Sequence, residues 1–470
     1  MSAPFAPPPA DVADRLKAAV GPGGWSEDAD LIAPKLVEWR DRWSGSTPLL
    51  LRPATVGEVQ AVLRIAHAAR VAITPQGGNT GLVGAQIPMG EVLLSLDRMT
   101  AIRSISPQDD VIVAEAGVVL ATVQAAARDA GRRFPLSLAS EGTATIGGLI
   151  STNAGGVHVR RHGMMRALVL GLEAVLPDGS LLEGLSALRK DNTGYDLKQL
   201  LIGAEGTLGV VTAASLKLVP APRETAVALL ALETPEAAVD LLHRLEGDTG
   251  SVAAFEIMNR TGLETVLEAI PGARLPFSEV PPWTALVEFE SAREGLGPRI
   301  EPALAAALEA GLARDAVLSR NEAQARAFWL LREEMSAAQK RYGKAVKHDI
   351  SVPVSQVPAF LAAAEAAVRA IAPGARIVAF GHASDGNIHY DVGRDPALSV
   401  EAFAALSPAI MTSVHDVAVG LGGSISAEHG IGLARREEFI AREPAAHLAM
   451  MRAIKATLDP HGIMNPRVSV

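Results

Sequence analysis

The sequence predicts an α+β protein of two or three domains, and three observations carry that prediction. At 470 residues the chain exceeds what one hydrophobic core usually supports. Its first 220 or so residues mix short apolar strands with amphipathic helices around glycine loops. Beyond residue 223 strand and helix blocks alternate in the pattern of an antiparallel sheet with packed helices.

In chain order, Thr55 and Glu58 form a capping-box pattern, and Val59, Val62, Leu63 and Ala66 follow at helical spacing. Apolar runs over 71–74, 92–96 and 111–115 read as strands. The runs 168–176 and 181–183 flank Pro177-Asp178-Gly179-Ser180, a hairpin signal. A strand over 210–219 closes this region, with Pro220 and Pro222 as punctuation. A strand over 227–232 then leads to Thr234-Pro235-Glu236, a helix cap with Pro in the first turn. Strands over 252–257 and 284–290, and helices over 303–312 and 324–341, follow. An amphipathic helix over 447–458 ends at Asp459-Pro460-His461-Gly462. The expected division is 1–222, 223–435 and a helical return over 436–470.

Composition narrows the function classes. A 49% hydrophobic, 20% charged chain is an ordinary folded protein, and with 4% aromatics its core must be mostly Ala, Val, Leu and Ile. The net charge of -9 argues against a nucleic-acid or anionic-membrane binder, though not against a small anionic substrate. With no cysteine, disulfides, thiolate metal sites, iron–sulfur clusters and cysteine nucleophiles are excluded, so any metal is held by His, Asp or Glu. Residues 1–20 lack a signal-peptide pattern. The longest uncharged stretch, 142–159, is too rich in Gly, Thr, Ser and Asn for a membrane span, so a cytoplasmic enzyme is expected.

Two glycine loops carry the first chemistry. Pro75-Gln76-Gly77-Gly78-Asn79-Thr80-Gly81-Leu82 follows the strand over 71–74. The second, Glu141-Gly142-Thr143-Ala144-Thr145-Ile146-Gly147-Gly148, runs on to Thr152-Asn153-Ala154-Gly155-Gly156. Such loops let backbone N–H groups converge on an anion. One alone reads as a tight turn; two in one domain read as a cradle for a phosphate-containing ligand. Neither has the dinucleotide fingerprint or the P-loop spacing.

The second chemistry lies in Phe380-Gly381-His382-Ala383-Ser384-Asp385-Gly386-Asn387-Ile388-His389. Asp385-Gly386 reads as a two-residue hairpin turn that places His382 opposite His389, near enough to share a metal. Glu428-His429, between Ser426-Ala427 and Gly430-Ile431-Gly432, is the natural source of a third ligand. Two imidazoles and a carboxylate leave open positions, the form of a catalytic metal site.

Gly77 to Gly81, Thr145-Ile146-Gly147-Gly148 with Thr152 to Gly156, and Gly203-Ala204-Glu205-Gly206-Thr207-Leu208-Gly209 resemble the vanillyl-alcohol oxidase and p-cresol methylhydroxylase flavoproteins. The resemblance continues to Asn465-Pro466, and Arg189 to Leu200 resembles the D-2-hydroxyglutarate dehydrogenase branch. It implies a two-subdomain FAD-binding domain plus an α+β substrate (cap) domain with an antiparallel sheet. It implies that FAD is held by Pro75, Gly77, Gly78, Asn79, Thr80, Gly81, Leu82, Gly142, Thr145, Ile146, Gly147, Asn153, Gly155, Gly156, Glu205, Gly209 and Asn465. With no Cys in the chain and no His in the first loop, that FAD is non-covalent.

By the same resemblance His382, His389 and Glu428 bind zinc or another divalent metal, Asn387 touches substrate, and His429 both touches it and is the base. Arg332, Ser336 and Lys347 match substrate-binding positions, with Ser336 standing where Thr is found, and a four-residue spacing puts Arg332 and Ser336 on one helix face. The implied reaction is hydride transfer from a small D-2-hydroxy acid to flavin. Electrons then pass to an electron-transfer flavoprotein, a quinone or a cytochrome. D-2-Hydroxyglutarate is the expected substrate, with D-lactate or D-malate as alternatives on the same scaffold and a metal-dependent hydrolase as an alternative of another class. Oligomeric state is left open, a homodimer included.

Overall fold

A computed structural model describes residues 6–468, so the start of the N-terminal stretch read above lies outside the described residues. The chain divides into two compact units. The first runs to Gly156 and adds His162–Ala221 and Glu428–Val470; the second is Val157–Arg161 with Pro222–Ala427. The second unit resumes at Pro222, one residue from the expected 223, and the first unit resumes at Glu428 rather than at 436. The return to the first unit begins at Glu428, because Leu433 and Ala434 N–H both donate to Val83 O and Gly432 N–H donates to the Glu205 carboxylate. Val157–Arg161 goes with the second unit because the His158 ring meets Glu288 at 2.8 Å and Arg161 donates to the carbonyls of Ser251 and Glu290.

The first unit holds two main sheets. Ile73–Gln76 and Leu50–Leu51 lie parallel to Val92–Ser95 on either side of it, and Trp25–Ser26 is at the edge. The second sheet is antiparallel, in the order Ile102–Ser106, Val111–Glu115, Val210–Lys217, Val169–Val175, Leu181–Gly184. Helix Val56–Ala69 starts where Thr55 accepts from the Glu58 N–H; the Glu58 carboxylate reaches Ala54 N–H in return, one residue earlier than a capping box requires. After helix Ala445–Leu458, Asp459 accepts from the N–H groups of Ile463 and Met464. That turn lays Ile463 and Asn465 against Ile73.

The second unit is built on one seven-stranded antiparallel sheet. Its order is Asp315–Leu318, Glu224–Leu232, Trp283–Ser291, Val252–Asn259, Arg376–His382, Asn387–Gly393, Val346–Ser351. One face buries Leu230, Phe255, Val287, Ile350 and Tyr390 under helices Pro235–Thr249, Gly297–Glu309, Val357–Ile371 and Val400–Gly420. Val354–Ile371 and Val400–Gly420 are long and apolar enough to cross a membrane; here Phe360, Ala364, Ile410 and Val414 lie in this core. Across part of the other face, Met258, Leu286 and Phe380 pack with helices Arg260–Ala269, Glu322–Glu333 and Met335–Ala338. The single helix expected over 324–341 is therefore broken. Glu334, at φ -80 and ψ -2, separates Glu322–Glu333 from Met335–Ala338, and Arg332 and Ser336 turn to different partners.

Candidate active site

The face of the second unit's sheet that those shorter helices leave partly open carries the ionisable residues. Strand alternation puts Lys347 and Asp349, Phe380 and His382, and Asn387, His389 and Asp391 on one side of three neighbouring strands. Glu256 joins them from Val252–Asn259, directly opposite His382.

The hairpin register corrects the expected one. Phe380, not His382, lies opposite His389, so the chain turns through four residues, 383–386. The turn is drawn onto Val352: its N–H donates to Gly386 O, and a Cβ on Gly386 would stand 1.9 Å from Val352 O. The slip is two residues, an even number, so the faces are preserved. His382 and His389 become diagonal neighbours with ring centroids 5.8 Å apart.

Each expected side chain has acquired a partner. His382 Nδ1 lies 2.6 Å from Glu256 Oε1, and Arg332 Nε donates to Glu256 Oε2 at 2.6 Å. Burial, the largest influence, pushes Glu256 up; His382 and then Arg332 outweigh it and hold the carboxyl at about 2. The Arg332 guanidinium also lies 4.8 Å over the Phe380 ring. Lys347 Nζ donates to Ser336 Oγ and to Asp391 Oδ2, each at 2.9 Å. Asn387, expected to touch substrate, is buried and gives its amide to Asp349 Oδ1 and Ile350 O, both at 2.9 Å.

Sequence reasoning missed Glu256, Asp349 and Asp391. Glu256 could have been found as the one acid in the apolar strand Val252–Asn259, since a buried charge needs a reason. Asp391 had a signal in its two-residue spacing from His389, which fixes a shared face. Asp349 lies opposite His389 with 3.9 Å between Oδ1 and Nδ1, and the sequence carried no sign of that pairing. Glu428 and His429 belong to the first unit, where the His429 Nε2 to Glu428 Oε1 distance is 3.8 Å.

The glycine loops meet within the first unit. A Cβ on Gly77 would stand 2.3 Å from Thr145 Oγ1, and one on Gly78 would stand 2.0 Å from Thr143 O, so only glycine lets the two loops approach. Thr145 Oγ1 is buried and has no hydrogen-bond partner among the described residues. An unspent hydroxyl between two glycine loops fits a phosphate oxygen, and hence the pyrophosphate of FAD.

Four residues expected at FAD have positive φ and turn their side chains elsewhere: Asn79, Asn153, Glu205 and Asn465. Asn79 donates to Pro34 and Val37 O, and Asn465 to Ala85 and Glu205 O. Asn153 accepts from Arg166 N–H, and Glu205 from Gly432 N–H. They shape the loops, which leaves backbone and hydroxyl groups for the cofactor.

Burial pushes Glu205 up to about 7, against the N–H groups of Gly432 and Ile431 and the charge of Arg435, which pull it down. A carboxyl raised on folding binds more protons folded than unfolded, so stability falls as pH climbs from about 4.5 to about 7. Glu205→Gln stays neutral throughout. It is expected to match the parent near pH 5 and to exceed it at pH 8 by on the order of 2–3 kcal/mol, read from denaturant midpoints. An equal difference at both pH values would refute the assignment.

Comparison with known proteins bears on family and fold. Residues 47–184 match the FAD binding domain family, and residues 221–468 match the family described as FAD linked oxidases, C-terminal domain. A D-2-hydroxyglutarate dehydrogenase of Stutzerimonas stutzeri is 39% identical over 96% of this chain and 97% of its own. The mitochondrial D-2-hydroxyglutarate dehydrogenase of Bos taurus is 38% identical over 95% of this chain and 81% of its own. Among solved structures, p-cresol methylhydroxylase with substrate bound superposes with a TM-score of 0.76 at 16% identity, over 97% of this chain and 96% of that one. The 4-ethylphenol oxidase of Gulosibacter chungangensis gives 0.74 at 18%, over 99% and 98%. These structures share the fold. The two family matches and the curated relatives replace the hydrolase alternative with an oxidoreductase that uses FAD. The chain belongs to the FAD-linked oxidase family, in the branch whose curated relatives are D-2-hydroxyglutarate dehydrogenases.

Proposed function

We propose that this enzyme oxidises D-2-hydroxy acids at C2, D-2-hydroxyglutarate among them, and passes the electrons to an acceptor other than NAD. The observation that carries the reading is the single sheet face on which His382, His389, Asp391 and Lys347 stand on adjoining strands. The relatives' names support the substrate class.

Bound FAD supplies a two-electron acceptor, and a divalent metal, zinc or another that imidazole and carboxylate accept, supplies Lewis-acid polarisation of the C2 hydroxyl. His382 and His389 are the proposed imidazole ligands and Glu428 the proposed carboxylate. Glu428 follows Ala427, whose N–H donates to Asp349 O. Glu256 at His382 Nδ1 holds that ring in place. His429 accepts the C2 hydroxyl proton at a ring nitrogen. Lys347 and Ser336 take the distal end of the substrate; Arg332, whose Nε is occupied, acts through Glu256.

The test is dye-linked oxidation of D-2-hydroxyglutarate, D-malate, D-lactate and their L-isomers by the purified yellow protein, before and after chelation and metal return. D-selective activity that falls at least about 100-fold on chelation and returns with metal is expected, since the metal contributes several kcal/mol. Activity indifferent to chelation would remove the metal from the reading.

A further inference from the structure

The distal pole of the proposed site has an unexpected charge balance. Lys347 and Arg332 are the cations expected there to attract a second carboxylate on the substrate. Each already faces an acid: Lys347 Nζ is 2.9 Å from Asp391 Oδ2, and Arg332 Nε is 2.6 Å from Glu256 Oε2. Asp391 is buried and also accepts from Gln339 Nε2 at 2.7 Å, so it is fixed from two sides. Lys347 is fixed as well, by Ser336 Oγ.

Position matters as much as charge. Asp391 stands two residues beyond His389 on one strand, so their side chains leave the same face roughly 7 Å apart. That is the reach of a five-carbon acid from its C2 oxygen to its C5 carboxyl. A carboxylate arriving beside Lys347 therefore also meets the Asp391 carboxylate. The attraction and the repulsion largely cancel, and its lost hydration is not recovered. An amide or hydroxyl at the same place can donate to Asp391 and accept from Lys347, with no charge to desolvate.

We infer that Asp391 is a specificity-determining residue that makes the distal pole a hydrogen-bonding site, so that D-2-hydroxy acids with an uncharged polar end are accepted alongside the dicarboxylate. The inference rests on the proposed reading of Lys347 and Ser336 as the distal pole.

Binding is read from the flavin absorbance of the holoenzyme titrated with 2-oxoglutarate and with its 5-amide, 2-oxoglutaramate, so no turnover is needed. In the parent the two are expected within about 10-fold of each other, whereas a free cation would favour the diacid by well over that. In Asp391→Asn the preference for the diacid is expected to rise by about 10-fold or more, and in Lys347→Gln/Asp391→Asn that gain is expected to vanish. A parent preference for the diacid beyond about 30-fold, or no change in preference in a flavin-loaded Asp391→Asn, overturns the inference. The amide comparison in the parent decides by itself should the variant fail to fold. Failure of the oxidation reading shows separately, as a parent protein that binds these ligands and turns over no D-2-hydroxy acid.

Discussion

Replacing Glu256 by Ala is expected to lower the stability of the second unit by about 3–5 kcal/mol and to weaken retention of the proposed metal by about 10–100-fold. Glu256 is fully buried and is the shared carboxylate of His382 Nδ1 and Arg332 Nε. Taking it away leaves Arg332, a residue only 8% exposed, without its counter-charge, which is far costlier than losing a surface pair. For a unit of this size the loss corresponds to a fall in Tm of roughly 6–20 °C. Glu256→Gln is the informative companion. Its amide oxygen can still accept from His382, while the charge facing Arg332 is gone, so its Tm is expected between those of the parent and Glu256→Ala. Thermal melts with metal analysis of the same samples check both effects. A Glu256→Ala protein that melts within a degree of the parent and retains the proposed metal as the parent does would show that the buried trio does neither job.

His429→Ala is expected to lower kcat by about 100- to 10,000-fold, the range for losing a positioned general base. The flavin spectrum should be unchanged, because the glycine loops and Thr145 that are read as the FAD cradle are separate residues. Added imidazole should restore part of the rate, and the pH–rate profile of the variant should lose its acidic limb. A variant that loses flavin instead would assign His429 to cofactor retention. One that keeps kcat and raises only KM would make it a substrate contact without a proton-transfer role.

The parts of the site differ in how they could be read, and the difference follows from range. Caps and turns are local chemistry: Thr55 and Thr234 each accept from an N–H three residues on, and Pro177 to Ser180 closes a hairpin between Val169–Val175 and Leu181–Gly184. The glycine loops were legible because only glycine permits approaches as close as those at Gly77 and Gly78. The His382–Asp385–His389 hairpin was legible as a hairpin and wrong in register, since Val352, some thirty residues upstream, pulls its turn open. The even slip is why the shared face of the two histidines survived that error.

By itself, then, the sequence determined the local elements, the close-packed glycine loops, the shared face of the two histidines and the resemblance that names the flavoprotein family. Only the tertiary structure decided that Arg332 is occupied by Glu256, that Lys347 is countered by Asp391, that Asn387 latches Asp349, and that Glu428 begins the return to the first unit. Those pairings join residues 38 to 76 positions apart, through strand neighbours that no local pattern encodes. Periodicity says which face a side chain takes; the charge it meets there is set by which strand lies alongside.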